Sequence, residues 1–451
     1  YVGPHGASAD DRRYIDWAVG LAKTRWGPSE TTILDFIQGV LLAEVPGHSR
    51  PDDVLRTAMQ FQQVTGPVMA KAFEDTAFYR YFRLLALNEV GGDPRRFGMS
   101  CAAFHHLTQE RARQWPHAML TTATHDTKRG EDGRLRIALL SELPLVWGRR
   151  VMLWLRLNRR HRAEIDGESV PGRNVEYLFY QALVGAWPPG LDPGNTAGMA
   201  ALSERVEAAM IKSVREGKER SSWSYPNVEY EAGLVRFVRG VLDATRHNPF
   251  LADFADFIGL VARPAAIASL AQLVLKLTVP GVPDIYQGGE LWDFNLVDPD
   301  NRRPVDFAQR QKLLDKISDA SISEVSEHWQ DGREKLFVTA RLLELRRDHP
   351  ELFAAGDYQP LDTGEGWISN RLCAFTRRHR DKALVVVAPH LTYGLYRDGG
   401  PADFGTKIAL PAKGVWREIF GGASFTGRSP IRGSELFAEF PVAVLFGEQL
   451  E

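Results

Sequence analysis

Residues Met119–Arg129 read MLTTATHDTKR. The first six, Met119 to Thr124, are threonines and small apolar residues, which favour extended backbone. His125 and Asp126 then stand side by side, and Lys128 and Arg129 follow. A strand that stops abruptly in polar and charged residues is how an α/β barrel presents chemistry, because its loops gather at the C-terminal ends of the strands. The stretch is therefore read as a site. An acid there orients a substrate or stabilises positive charge in a transition state. The bland alternative is that Asp126 caps the helix that follows. A metal-dependent phosphohydrolase of the HD type would need further ligands, for which His105 and His106 are the nearest candidates.

Outward from this stretch, composition sets bounds. The chain has 451 residues, 44% hydrophobic and 25% charged, which is globular. A formal net charge of -2 gives no strong pull toward nucleic acid or an anionic membrane, so neither is an expected partner. The two cysteines, Cys101 and Cys373, lie far apart and form no metal or redox spacing, so a reducing cytoplasm is the expected location. The best apolar run, Ala265 to Leu275, is cut short by Lys276 and Pro280 and is expected not to span a bilayer.

Upstream, Asp10–Trp26 and Glu30–Leu42 show helical spacing around Gly27-Pro28, and Pro51–Val64 is a third helix that Gly66-Pro67 should break. The short run Val68-Met69-Ala70 ends at Lys71. Lys71, Glu74, Asp75, Phe78, Tyr79 and Arg80 interleave acids, bases and aromatics, which suits sugar binding; an ordinary salt-bridged helix is the competing reading. Downstream come helices over 133–162, 174–184, 197–220 and 227–244, then Pro264–Leu277, which is apolar nearly all round and should be buried.

Asp284-Ile285-Tyr286 reads as a short strand. It leads into Tyr286, Gln287 and Glu290 and then the loop LVDPDNRRPVD, with Asp298, Asn301, Arg302 and Arg303. Such a charged, Pro-bounded loop after a strand is either functional or merely solvated. Phe307–Arg347 reads as helical, and Arg347-Asp348-His349-Pro350 reads as its C-terminus despite its likeness to a nucleophile motif of sugar-cleaving barrels. From Asp357 strand-like runs alternate with Gly and Pro, an antiparallel β domain of roughly 90 residues. The expected organisation is a helical subdomain over 1–65, a barrel region over 66–350 with a helical insertion at about 150–260, and a β domain over 357–451.

TATHDTKRGED (122–132), NVEYLFYQALVGAWP (174–188), WSYPNVEYE (223–231) and the stretch from Pro280 to Phe307 resemble the maltooligosyltrehalose synthase family, in glycoside hydrolase family 13 of the α-amylase superfamily. The resemblance runs over nearly the whole chain. It implies an α/β fold, the C-terminal half of a (β/α)8 TIM barrel with large helical insertions, followed by the antiparallel β domain. It implies an intramolecular transglycosylation in which the reducing-end α-1,4 link of a maltooligosaccharide becomes an α,α-1,1 link, by a retaining carboxylate mechanism that needs no cofactor or metal. By position, Asp126 would be the transition-state stabiliser and His125 its substrate-binding neighbour. Lys128 and Lys71 look like the residues that hold the reducing-end glucose. The nucleophile and general acid of the family have no counterpart here. The chain is therefore expected to be a C-terminal part that needs the N-terminal half of the enzyme as its partner. An α-amylase-type hydrolase and a non-catalytic glucan-binding protein remain the alternatives.

Overall fold

The computed structural model describes residues 1–26, 31–45, 50–318, 320–364, 371–396, 406–427 and 429–450. The chain divides into two units, Tyr1–Arg80 and Tyr81–Glu451.

The first unit is helical: α1 (Ala9–Trp26), α2 (Thr31–Leu41) and α3 (Pro51–Phe73). The expected Gly27-Pro28 punctuation lies outside the described residues. Two expectations are corrected here. Gly66-Pro67 does not end α3; Pro67 sits inside it, and the expected domain break after residue 65 falls in mid-helix. Pro67 removes one main-chain hydrogen bond, and the rest of the helix keeps its own.

The second unit opens with α4 (Cys101–Gln114), a helix that hydrophobic spacing did not announce. Strand β1 (Met119–Leu120) follows, then α5 (Glu131–Leu139) and α6 (Pro144–Leu157). A short hairpin of β2 (Ala163–Ile165) and β3 (Glu168–Val170) leads to α7 (Arg173–Ala186), α8 (Thr196–Gly217) and α9 (Val228–Val241). Helix α5 lies close against α7 because both carry glycine at the crossing: a Cβ on Gly133 would fall 2.5 Å from the Gly185 carbonyl oxygen.

Helix α10 (Pro249–Thr278) is the spine of this unit. Its first half, Phe250 to Val261, packs into a core with Trp147, Trp154, Phe179 and Phe237 from α6, α7 and α9. Its second half, Leu270 to Leu277, belongs to another core shared with the C-terminal sheet. A helix that meets protein on every side must be apolar on every side. By length and composition α10 could cross a membrane, contrary to the sequence expectation, because Pro264 does not stop it and Lys276 lies within it. Most of its apolar residues are buried inside the protein, which is the signature of a core helix.

Strand β4 (Val282–Pro283) follows α10 and pairs in parallel with β1, Met119 opposite Val282 and Leu120 opposite Pro283. The ladder continues through the Asp284 N–H, which donates to the Leu120 carbonyl at 2.7 Å. Among the described residues this is the one parallel pair. Helices α11 (Phe307–Ile317), α12 (Ile322–Glu327), α13 (Arg333–Asp348) and α14 (Pro350–Ala355) come next. His349 caps α13 and Pro350 opens α14, so Arg347–Pro350 is a helix junction as read from sequence.

The C-terminal region is a six-stranded antiparallel sheet built on β5 (Gln359–Pro360), β6 (Leu372–His379) and β7 (Lys382–Pro389). A short helix α15 (Thr392–Tyr396) and strand β8 (Lys407–Ile408) separate these from β9 (Val415–Glu418) and β10 (Ser424–Thr426). Strand β11 (Ile431–Arg432), helix α16 (Gly433–Leu436) and β12 (Ala443–Gly447) close the chain, with strand order β10-β9-β12-β7-β6-β5. Leu384, Val386 and Ala388 face the core shared with α10, while Ala383, Val385 and Val387 face a third cluster with Trp416 and Leu436. Both faces are covered, which is why β7 is an unbroken apolar run.

Candidate active site

Beyond β1 the chain does not enter a helix at once. It makes a tight loop: the Thr127 hydroxyl donates to the Thr124 carbonyl at 2.8 Å, and the Asp126 N–H donates to Thr124 Oγ1 at 3.2 Å. Helix α5 begins only at Glu131, and its N-cap is Gly130. The capping role considered for Asp126 is thereby excluded.

The loop after β4 lies against this loop. Asn301 donates through Nδ2 to the carbonyls of His125 (3.0 Å) and Thr127 (3.4 Å). Arg302 donates to the His125 carbonyl at 3.2 Å and to Asp126 Oδ1 at 3.1 Å. The Tyr286 hydroxyl donates to the Asn301 carbonyl at 3.1 Å. His125 Nε2 stands 3.3 Å from Asp126 Oδ2. The parallel register of β1 and β4 thus brings two sequence-distant candidate groups together, 126 and 286–303. The Asp126 side chain is 60% exposed and His125 67%. A carboxylate held by one arginine and otherwise open to solvent is available to a ligand.

The platform under this loop is ionic. Asp300 takes a two-pronged bond from Arg205 (3.0 and 2.9 Å) and the Leu296 N–H at 2.7 Å. Its carboxyl sits below the usual range: burial works against that, and Arg205 more than offsets it. Asp298 pairs with Lys212 at 2.8 Å and Arg303 with Asp300 at 2.9 Å, so these two candidates brace the loop. Glu290 pairs with Arg310 at 3.0 Å, and Gln287 is exposed.

Other expected residues have different surroundings. Lys128 is buried, its N–H donating to Glu89 Oε1 at 2.8 Å, and Arg129 donates to the Leu85 carbonyl at 3.3 Å. In the first unit, Lys71 on the last turn of α3 forms an i,i+4 pair with Asp75 just past its end at 2.6 Å, the salt-bridged pairing named above as the competing reading. Phe78 and Tyr79 are buried, with the Phe78 ring 4.9 Å from that of Phe73; Glu74 is half-buried and Arg80 exposed. His105 is bonded to the Tyr358 hydroxyl at 2.7 Å, and among the described residues no three His, Cys, Asp or Glu side chains gather as metal ligands.

Sequence reading missed a second cluster behind the loop. Lys335 on α13 donates to Glu131 Oε1 and Asp132 Oδ2, both at 2.6 Å, and to the Leu291 carbonyl at 3.2 Å. Lys276 on α10 donates to Thr122 Oγ1 at 2.8 Å, and Thr122 in turn donates to Glu131. The Asp293 N–H donates to Asp132 Oδ2 at 2.6 Å. All these side chains except Thr122 are buried. Burial disfavours the Glu131 charge, but Lys335 and Lys276 more than offset it and hold the carboxyl at about 2; burial keeps Asp132 raised despite Lys335. Gly130 leaves room for this cluster, since a Cβ there would lie 2.3 Å from Asp293 Oδ1, and no local sequence pattern announces it. A cavity of about 710 Å³ opens beside β1, lined by Met119, Leu120, Thr122, Leu275, Lys276 and Glu142, away from the Asp126 loop.

No family model matches the chain. A relative from Mycobacterium tuberculosis H37Rv, named as a maltooligosyl trehalose synthase, is 39% identical over 388 residues, 86% of this chain and 45% of its own length. The solved maltooligosyltrehalose synthase of Arthrobacter ramosus superposes with a TM-score of 0.79 at 36% identity, covering 97% of this chain and 51% of that one. A hypothetical maltooligosyl trehalose synthase from Sulfolobus tokodaii gives 0.66 at 27% identity, over 97% of this chain and 55% of that one. The chain spans about half the length of the curated relatives it matches. By sequence and by fold, the chain is a homologue of the maltooligosyltrehalose synthases over that half.

Proposed function

We propose that the chain carries the second half of the catalytic barrel of a glucosylmutase that turns the reducing-end α-1,4 link of a maltooligosaccharide into an α,α-1,1 link. The observation that carries this reading is the Asp126 carboxylate. It stands at the C-terminal end of a parallel strand, fixed by Arg302 and His125, and open to a ligand. Loops at that end of parallel strands are where barrel enzymes work. In a retaining reaction a sugar ring passes through an oxocarbenium-like state, and a fixed negative charge beside it lowers the barrier.

Transfer to the sugar's own released glucose requires that water be kept out and the glucose be held. His125 and Lys128 are the groups assigned to that task. The nucleophile and the proton donor belong to the N-terminal half of the enzyme, the partner of this chain. A parallel ladder of two short strands is too small to stand alone; among the described residues β1 pairs only with β4, and Met119 and Leu120 line a cavity of about 710 Å³. Both features support a barrel that is completed by further strands.

The test is chemical. The whole enzyme is incubated with maltopentaose, and reducing ends and free glucose are followed together. Loss of reducing power without release of glucose is expected. Rising reducing power would establish an α-amylase-type hydrolase instead, and no change in either would favour a glucan-binding protein.

A further inference from the structure

The two cysteines of the chain, far apart in sequence, meet in the fold. Cys101 is the first residue of α4, and Cys373 is the second residue of β6. The Cys101 sulfur lies 3.2 Å from His390 Nε2 and 3.7 Å from the carbonyl oxygen of Leu372, the residue next to Cys373. Cys101 is half-buried and Cys373 is buried. Neither takes part in the site around Asp126.

The environment separates the two thiols. The neighbouring Cys373 and His390 draw Cys101 down to about 4, against the effect of its burial. The nearby Cys101 and burial push Cys373 up. The more accessible sulfur is therefore the nucleophile, and the enclosed one keeps its proton. This is the arrangement of an attacking and a resolving thiol.

We propose that Cys101 and Cys373 form a redox-active pair that exchanges with small disulfides. The Cys101 thiolate attacks one sulfur of a small disulfide; its S–S bond breaks and the first thiolate leaves. Cys373 then gives up its proton and attacks the Cys101 sulfur, forming the Cys101–Cys373 bond and expelling the second thiolate. Two protein thiols are oxidised, and one small disulfide is reduced to two thiols. The product ties the start of α4 to strand β6 of the C-terminal sheet. Helix α4 leads directly into β1 and the Asp126 loop, so the tie holds the approach to that loop.

The test uses the full chain and glutathione disulfide, read by intact mass and peptide mapping. Wild type is expected to end with the Cys101 and Cys373 peptides cross-linked and no glutathione retained. Cys373→Ser is expected to hold glutathione on Cys101, and Cys101→Ser to stay unmodified. Two free thiols in treated wild type, or Cys101→Ser modified as fast as Cys373→Ser, would overturn the proposal. Alkylation of untreated wild type by iodoacetamide needs no variant. Cys101 blocked well before Cys373 supports the pair, and equal rates reject it.

Discussion

Two acid clusters, Asp126 and Glu131-Asp132, lie five residues apart along the chain. Asp126 is exposed and is met by one arginine and one histidine, themselves partly exposed. Glu131 and Asp132 are buried, and two lysines from distant helices close around them. In sequence the two look alike, an acid with basic residues nearby. The structure separates them by solvent. A charge in water interacts weakly with its partner and stays free for a ligand, while a buried charge is bound to its counter-ions and serves the fold.

The comparison can be broken by removing charge from each cluster in turn. Lys335→Met strands two buried carboxylates around an uncharged side chain. It should cost about 3–5 kcal/mol, seen as a lower urea midpoint. A loss below about 1 kcal/mol would mean that the cluster is not the anchor described. Asp126→Asn in the whole enzyme should leave stability almost unchanged and reduce kcat by about 10²–10³-fold. Turnover near wild type would remove Asp126 from the mechanism.

Acid titration sharpens the same contrast. The Glu131 carboxyl is held at about 2, below its ordinary value of 4.5. A depressed acid contributes stability that is present above the unfolded value and is lost as pH falls from 4.5 toward 2. The total is about 3 kcal/mol at 1.36 kcal/mol per pH unit. Unfolding followed across that window should therefore fall more steeply for wild type than for Glu131→Gln; parallel curves would refute the assignment. The smallest effect belongs to Arg302→Ala. It breaks an exposed pair and should change stability by no more than about 1 kcal/mol, since Asn301 still holds the loop. A cooperative loss of several kcal/mol would show that Arg302 is structural after all.

Much of this was legible in the residues. Short apolar runs bounded by Gly and Pro announced β6, β7 and β12, and the all-round apolar run announced a buried helix, although α10 proved to extend well upstream of Pro264. Two strands ending in polar residues were readable at Met119 and near Asp284, and their meeting put Asp126 beside Arg302. The segment around Lys71 was misjudged because propensity is local: Gly66-Pro67 reads as a break, yet the helix runs through it when no neighbouring strand competes for its backbone. Helix α4 was missed because its apolar positions are few and its packing is supplied by distant residues such as Tyr358.

The amino-acid sequence by itself determined most of the inventory: the long helices and the apolar strands, and where acids, bases and thiols stand along the chain. Those follow from periodicity and local sterics, which act over a few residues. Which of those groups meet was decided only in three dimensions. Lys335 reaches Glu131 across 204 positions, and Cys101 meets Cys373 and His390 from still farther apart. No local pattern encodes such pairings, because they depend on the register of β1 with β4 and on how α10 and α13 pack. Burial makes the same decision for charge. The acid of Asp126 and that of Glu131 differ little as letters, and only the water around the first and its exclusion from the second give them different work.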